Sequence, residues 1–187
     1  MRNRTGRLWC AAAVGALTAA AVPSAYAASA GEAPVPLARS WTAKLLPGST
    51  AEFRLPGGAV TCDTSTASGA DYAIAQAAWT CTGPLGMTGQ ATLSGGAAFS
   101  PQSSSGGVQQ GVVPGFRVSL AFDSILGTCT AVISGALGNA SFDETTSRFA
   151  VTNGTGIRVA SASGCAGLIN TGDPAGFQGQ YQVTFLQ

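Results

Sequence analysis

The ten residues GFRVSLAFDS, positions 115–124, decide the fold class. Phe116, Val118, Leu120 and Phe122 fall on one side of an extended chain, and Arg117, Ser119, Ala121 and Asp123 on the other. Successive side chains of a strand point to opposite faces, so strict alternation marks a strand with one face buried and one wet. The same period spreads outward through the chain. In STAEFRLPGG (49–58), Ala51, Phe53 and Leu55 oppose Glu52 and Arg54. In GGAVTCDT (57–64), Val60 shares a face with Cys62, and in AQAAWTCTG (75–83) Trp79 shares one with Cys81. Cys129, Ala131 and Ile133 align in CTAVISG. The last run sets Phe177, Tyr181, Val183 and Phe185 against Gln180, Gln182 and Thr184.

No segment has a convincing helical period. Ala-rich DYAIAQAAW (71–79) comes nearest, but its alternation into Thr80-Cys81-Thr82 favours a strand. SRFAVTNGTGIRVAS (147–161) reads as a hairpin, with Phe149 and Val151 inward on one strand and Ile157 and Val159 on the other. Asn153-Gly154 is its turn, because both residues accept positive φ. The Ser- and Gly-rich stretch 93–111 reads as a long loop. In GCAGLINTGDPAGFQG (164–179), the crowding of Gly, Asn, Asp and Pro reads as the closing turn before the last strand. It has no Lys and opens no helix, so it does not fit a phosphate-binding loop. Roughly eight to ten short strands with turns between them give an all-β fold: an antiparallel β-sandwich, or alternatively a closed β-barrel.

The N-terminus carries a different message. Arg2, Arg4 and Arg7 precede the apolar run LWCAAAVGALTAAAV, which ends near Ala25-Tyr26-Ala27. A basic start, a short apolar core and small residues two apart are the marks of a secretory signal peptide. Residues 1–27 are therefore read as a signal peptide, 28–39 as a flexible lead-in and 40–187 as a single β-sandwich domain. No later run is apolar enough to span a bilayer as a helix. Cys10 leaves with the peptide.

The remaining four cysteines, Cys62, Cys81, Cys129 and Cys165, read as two disulfides in an exported chain. A structural zinc site would want close ligand pairs, and no Cys-x-x-Cys occurs. Four cysteines allow three pairings. Cys62–Cys81 with Cys129–Cys165 is favoured because each closes a moderate loop between consecutive strands.

Chemistry is bounded mostly by what is missing. There is no histidine, which removes Ser-His-Asp triads, Cys-His pairs and imidazole metal sites. The only lysine, Lys44, belongs to no Ser-x-x-Lys motif. No cofactor or calcium motif occurs, and no catalytic, cofactor-binding or metal-ligating residue is assigned. The mature acids are Glu32, Glu52, Asp63, Asp71, Asp123, Asp143, Glu144 and Asp173. Asp143-Glu144 reads as a turn. Asp63 and Asp71, flanking the loop expected between the first two cysteines, are the one pair that a carboxylate hydrolase could use. Asn139 and Asn153 begin glycosylation-type triplets, to which the bacterial type of signal gives little weight. Three of the nine basic residues leave with the signal, so six face eight acids, a net charge of −2. Without a basic patch, nucleic acid is not a partner.

One ordered set of residues resembles a known frame. Cys62, then Trp79, Cys81, Gly83 and Pro84, then Cys129, then Gly164, Cys165, Gly172, Asp173, Tyr181 and Val183, over about residues 59–187, is similar to a group of small secreted actinobacterial proteins of uncharacterised activity. The resemblance implies an exported, disulfide-bonded β domain and transfers no activity. The sequence thus points to a secreted or cell-wall-associated, non-catalytic protein with a binding or structural role. Its partner would be a cell-wall or extracellular component, and the alternative is a small secreted hydrolase with paired carboxylates. Cleavage after Ala27 is expected. Intact mass of the protein from culture medium checks it, and a mature species retaining Arg2 to Ala27 would refute it.

Overall fold

In the computed structural model, residues 39–125 and 127–186 are described. The expected signal peptide and all but the last residue of the lead-in lie outside them. Eleven strands form: β1 Ser40–Leu45, β2 Ala51–Leu55, β3 Gly58–Ala70, β4 Ala73–Thr82, β5 Thr88–Leu93, β6 Ala97–Ala98, β7 Ser100–Ser105, β8 Val108–Ser124, β9 Gly127–Asp143, β10 Arg148–Ser163 and β11 Pro174–Phe185. A 3₁₀ turn, Pro84–Gly86, links β4 to β5.

The sheet closes on itself. All ladders are antiparallel, in the order β3-β2-β11-β10-β9-β8-β5-β4, and β4 pairs back onto β3. The arrangement is therefore an eight-stave barrel, the alternative architecture, and not a two-sheet sandwich. Alternation along one strand is the same in both architectures, because each buries one face of every strand. One stave is in two pieces. β1 lies between Thr66–Ala70 of β3 and Tyr181–Phe185 of β11, and β2 between Gly58–Cys62 and Gly176–Gln178 of the same strands. The two pieces run in the same direction. Gly48, at φ 76°, and the bond from Ser49 N–H to the Leu46 carbonyl turn the chain between them.

The alternating faces fall as the pattern requires. Phe53, Val60, Val118, Leu120, Phe122 and Ile133 are all buried. The disulfides are Cys62–Cys81 and Cys129–Cys165. Both lie at the end of the barrel where β3 and β9 begin and β4 and β10 finish, here the stapled end. The opposite end carries the β3–β4 and β9–β10 turns.

Two expectations fail for physical reasons. The stretch 93–111 is not a loop, since it holds β6, β7 and the start of β8. Ser100–Ser105 pairs along β8 and is exposed at every position, so a Ser-rich composition satisfies it. Gly106 and Gly107, at φ 59° and 81°, make the two-residue turn that joins β7 to β8. Asn153-Gly154 is not a hairpin turn either. β10 runs unbroken through it from Arg148 to Ser163. Asn153 takes its positive φ, 48°, inside an irregularity where the register shifts between Val151 and Ile157. Matching shifts lie at Val113–Phe116 of β8, beside Gly115, and on β9 between Gly135 and Ala140, around Asn139. Bulges bend strands and raise their twist, as closing a sheet into a barrel demands.

On the outer wall Arg54 of β2 clasps this belt. Its Nε bonds Glu52 at 2.6 Å, its Nη1 the Asn153 Oδ1 at 2.6 Å and its Nη2 the Gln178 Oε1 at 2.5 Å. A methyl group at a hairpin tip would meet open solvent. At Gly154 it would lie 2.5 Å from Val151 Cγ1, 2.7 Å from Leu137 Cδ1 and 2.7 Å from the Phe177 carbonyl oxygen. Gly154→Ala is therefore expected to destabilise the fold by about 1–3 kcal/mol, as overpacking does. Urea denaturation checks this, and a neutral result would contradict the bulge.

Candidate functional site

The barrel is not filled to its open end. A cavity of about 320 Å³ occupies the interior there. Its floor is aromatic. Phe177, Trp79 and Phe116 line it, and beneath them Phe53 stands edge-on to Trp79 at 5.4 Å and tilted against Phe177 at 4.8 Å. Edge-to-face and tilted contacts of this kind set the negative ring face against the positive edge. Higher up the walls, Phe99 meets Phe149 at 5.6 Å and Tyr72 at 5.9 Å, and Phe142 meets Phe185 at 6.3 Å. Phe142, Phe149 and Phe185 come from β9, β10 and β11, Phe99 from between β6 and β7, and the exposed Tyr72 from the β3–β4 turn. The bulges matter here, because Phe142 and Phe149 lie on one side of the belt and Phe116 and Leu137 within it, yet all four line one cavity.

Three polar side chains, Trp79, Tyr181 and Ser65, are built into the interior. The Trp79 indole N–H donates to the Tyr181 hydroxyl at 2.8 Å, and Ser65 Oγ lies 3.4 Å from the same oxygen. Ser65 is a buried polar residue. Burial pushes the Tyr181 phenol up to about 12, outweighing its hydrogen bonds to Ser65 and Trp79, which act the other way. The phenol is thus neutral at physiological pH, and it acts as a brace.

The rim is where charge enters. Arg39 lays its guanidinium over the Phe185 ring, 4.0 Å from the centroid. Its backbone N–H donates to Asp71 Oδ1 at 2.9 Å, and the Trp41 indole donates to the Asp71 carbonyl at 2.8 Å. Across the mouth Gln109 Nε2 donates to Glu144 Oε1 at 2.5 Å. The other amide atom, Gln109 Oε1, is buried and receives no hydrogen bond. Asp143 ends β9, and the expected turn opens at Glu144. Asp143 accepts from the backbone N–H groups of Thr145 and Thr146 at 2.9 and 3.1 Å. Its carboxyl is held below the usual range, first by the Thr146 side chain.

The acids singled out by sequence fare differently. No loop separates Asp63 and Asp71, because β3 runs between them. They sit eight residues apart, roughly 26 Å at about 3.3 Å per residue, against the roughly 5–10 Å that paired glycosidase carboxylates use. The two acids that do meet at the cavity are Asp71 and Glu144, a pair that the sequence reasoning did not single out. Both are exposed. Glu52 is held on the outer wall by Arg54, and Asp123 accepts from Thr128 Oγ1 at 2.7 Å on the outside of β8. Asp173 closes the 164–173 turn by accepting from the Asn170 backbone N–H at 2.7 Å. That segment is the closing turn it was read to be, and Cys165 anchors it to β9. Glu32 lies outside the described residues. Among the described residues no three metal-ligating side chains gather, and no helix is long and apolar enough to cross a membrane.

The cavity itself went unread because its lining comes from eight strands and the segments between them. Only the surplus of aromatic residues at inward positions hinted at it. Comparison of the chain with family models, curated proteins and solved structures finds no match.

Tyr181→Phe leaves the buried Trp79 N–H without its acceptor and is expected to cost about 1–3 kcal/mol. It also tests the phenol. With a folded pKa above the unfolded one, Tyr181 contributes stability that is full below about pH 10 and falls away as pH rises toward 12. Thermal unfolding between neutral pH and pH 11 should show that alkaline loss in the wild type and a shallower one in the variant. Identical slopes would remove Tyr181 as its source.

Proposed function

We propose that this chain is an exported, non-catalytic protein that works by binding, and that it holds one small apolar molecule in the open end of its barrel. The observation that carries the reading is the cavity of about 320 Å³, walled by aromatic and aliphatic side chains. Its volume is at the lower end of the roughly 300–1,000 Å³ typical of small-molecule sites. Eight-stranded barrels are just wide enough either to fill with side chains or to hold one small ligand, and this interior is filled at the stapled end and leaves room for a ligand at the open end. Export is supported by the Arg-rich apolar N-terminus and by two disulfides, which persist in oxidising compartments. The resemblance to small secreted actinobacterial proteins supports the same setting, extracellular or at the cell wall.

A hydrolase with paired carboxylates would have to use Asp71 and Glu144, since these share the cavity mouth. A general acid is normally tuned by burial, and both groups are exposed. The binding reading is therefore the better supported.

The test is titration of the purified mature protein with N-phenylnaphthylamine, a neutral dye that brightens in apolar surroundings. Saturable binding near one dye per chain is expected. Ala67→Trp, which puts a ring into the cavity from β3, should abolish it while the circular dichroism spectrum is kept. No saturable binding, or binding that a folded Ala67→Trp variant retains, would overturn the reading.

A further inference from the structure

Resting on that reading, we infer that the ligand body is flat, uncharged and about two fused aromatic rings in size, and that the alanine row Ala43, Ala67 and Ala77 selects it over an acyl chain. The strand registers build a wall of methyl groups for it. Ala43 of β1 stands opposite Ala67 of β3, and Ala67 opposite Ala77 of β4. All three line the cavity. Neighbouring staves thus present nothing larger than a methyl group along one row. The row spans two strand spacings, about 9–10 Å at roughly 4.8 Å each.

A wall of rings is built in the same way. Phe142 of β9 pairs with Phe149 of β10, and Phe149 with Tyr181 of β11. In the closed order β3 lies four staves from β9, and β4 four from β10, so Ala67 and Ala77 stand across the interior from Phe142 and Phe149. Each of these rings is braced by a crossed neighbour, Phe149 by Phe99 at 81° and Phe142 by Phe185 at 83°. The bracing keeps them from filling the space that the alanines leave.

Shape then decides between occupants. A single acyl chain is no wider than one strand spacing. It would cover one alanine and leave the others bare, and a bare wall forfeits its dispersion contacts. A flat ring body covers the row and meets phenylalanine edges and faces on its other side. A cavity of roughly 150 Å³ takes a benzene, so about 320 Å³ takes about two fused rings. The two rows carry one polar atom, the Tyr181 hydroxyl, and Trp79 and Ser65 already engage it, so a charge between them would go unmatched.

The experiment is equilibrium dialysis of the mature protein against 2-naphthalenemethanol and 1-decanol, which share a head group. Decanol is the more apolar solute, so tighter binding of the ring cannot come from the hydrophobic effect alone. The ring alcohol should bind at least about tenfold more tightly. Ala67→Val and Ala77→Val each raise a ridge on the methyl wall. They should weaken the ring alcohol about tenfold and decanol by less than about threefold. Ala78→Val, on the exposed outer face of β4, should change neither. Circular dichroism checks the fold of each variant, and the wild-type comparison decides the class whatever the variants do. Equal binding, or tighter binding of decanol, would overturn the inference and leave the apolar-cavity reading standing. So would a ring preference that the folded valine variants keep. Failure of both alcohols to bind saturably would sink the inference and the reading together.

Discussion

The indole N–H of Trp79 meets the hydroxyl of Tyr181 at 2.8 Å, and that bond joins two staves, β4 and β11, that no ladder connects. Backbone hydrogen bonds fix the circumference of a barrel but not its cross-section, which the side chains inside must set. Here a Trp and a Tyr span the interior, with Ser65 on the intervening β3 completing the group. A buried polar pair is favourable only if each member is satisfied, and burial in turn strengthens each bond. The three residues therefore specify one spacing of the staves. Below the brace the interior is packed with Phe53, Val60 and Phe122. Above it the cavity begins.

At the level of the cavity floor, the barrel wall carries the belt of bulges. Along β8 the buried positions run Gly111, Val113, then Phe116, Val118, Leu120. Along β9 they run Ile133, then Leu137, then Ala140, and along β10 Val151, Gly154, Ile157, Val159. Between Val113 and Phe116, and again between Leu137 and Ala140, the inward parity changes from odd to even or the reverse. A bulge inserts one unpaired residue and so swaps the faces beyond it. β8 and β9 make the swap at one level, and beside them β10 swaps at Gly154 and swaps back by Ile157. The strand ends above the belt can then stay turned inward while β7 extends the wall.

This also marks the limit of what the sequence discloses. Period-two patterns on either side of each bulge were legible, because the apolar residues there must be buried whatever the tertiary arrangement. Phe116 to Phe122 and Phe177 to Phe185 are the clearest. The disulfide pairing was legible because adjacent strands bring their cysteines together. Closure was not, since the pairing of β2 with β11 and of β5 with β8 is invisible in the local pattern of any of them. Asn153-Gly154 misled for a definite reason. Positive φ is needed both at a two-residue turn and at a bulge, and the same residues serve both. The Ser-rich strand β7 misled because it has no buried face, so nothing alternates. At the mouth, Asp71, Gln109 and Glu144 are scattered over more than seventy positions, and only the closed sheet brings them to one rim.

The cavity and the staples occupy opposite ends, and energetics gives a reason. A dry void of about 320 Å³ would cost on the order of 8 kcal/mol at about 24 cal/mol per Å³, an upper figure because this one reaches solvent at its mouth. That is comparable to the whole stability of an ordinary domain. The two disulfides close sequence separations of 19 and 36 residues, and loop-closure entropy lets each stabilise the fold by about 3–4 kcal/mol. Together they offset most of what the void removes. They do so from the end where they cannot intrude on it. Staples at the open end would have drawn the β3–β4 and β9–β10 turns inward over the mouth. Placed where they are, they hold the ring closed at the packed end and leave the aromatic end open.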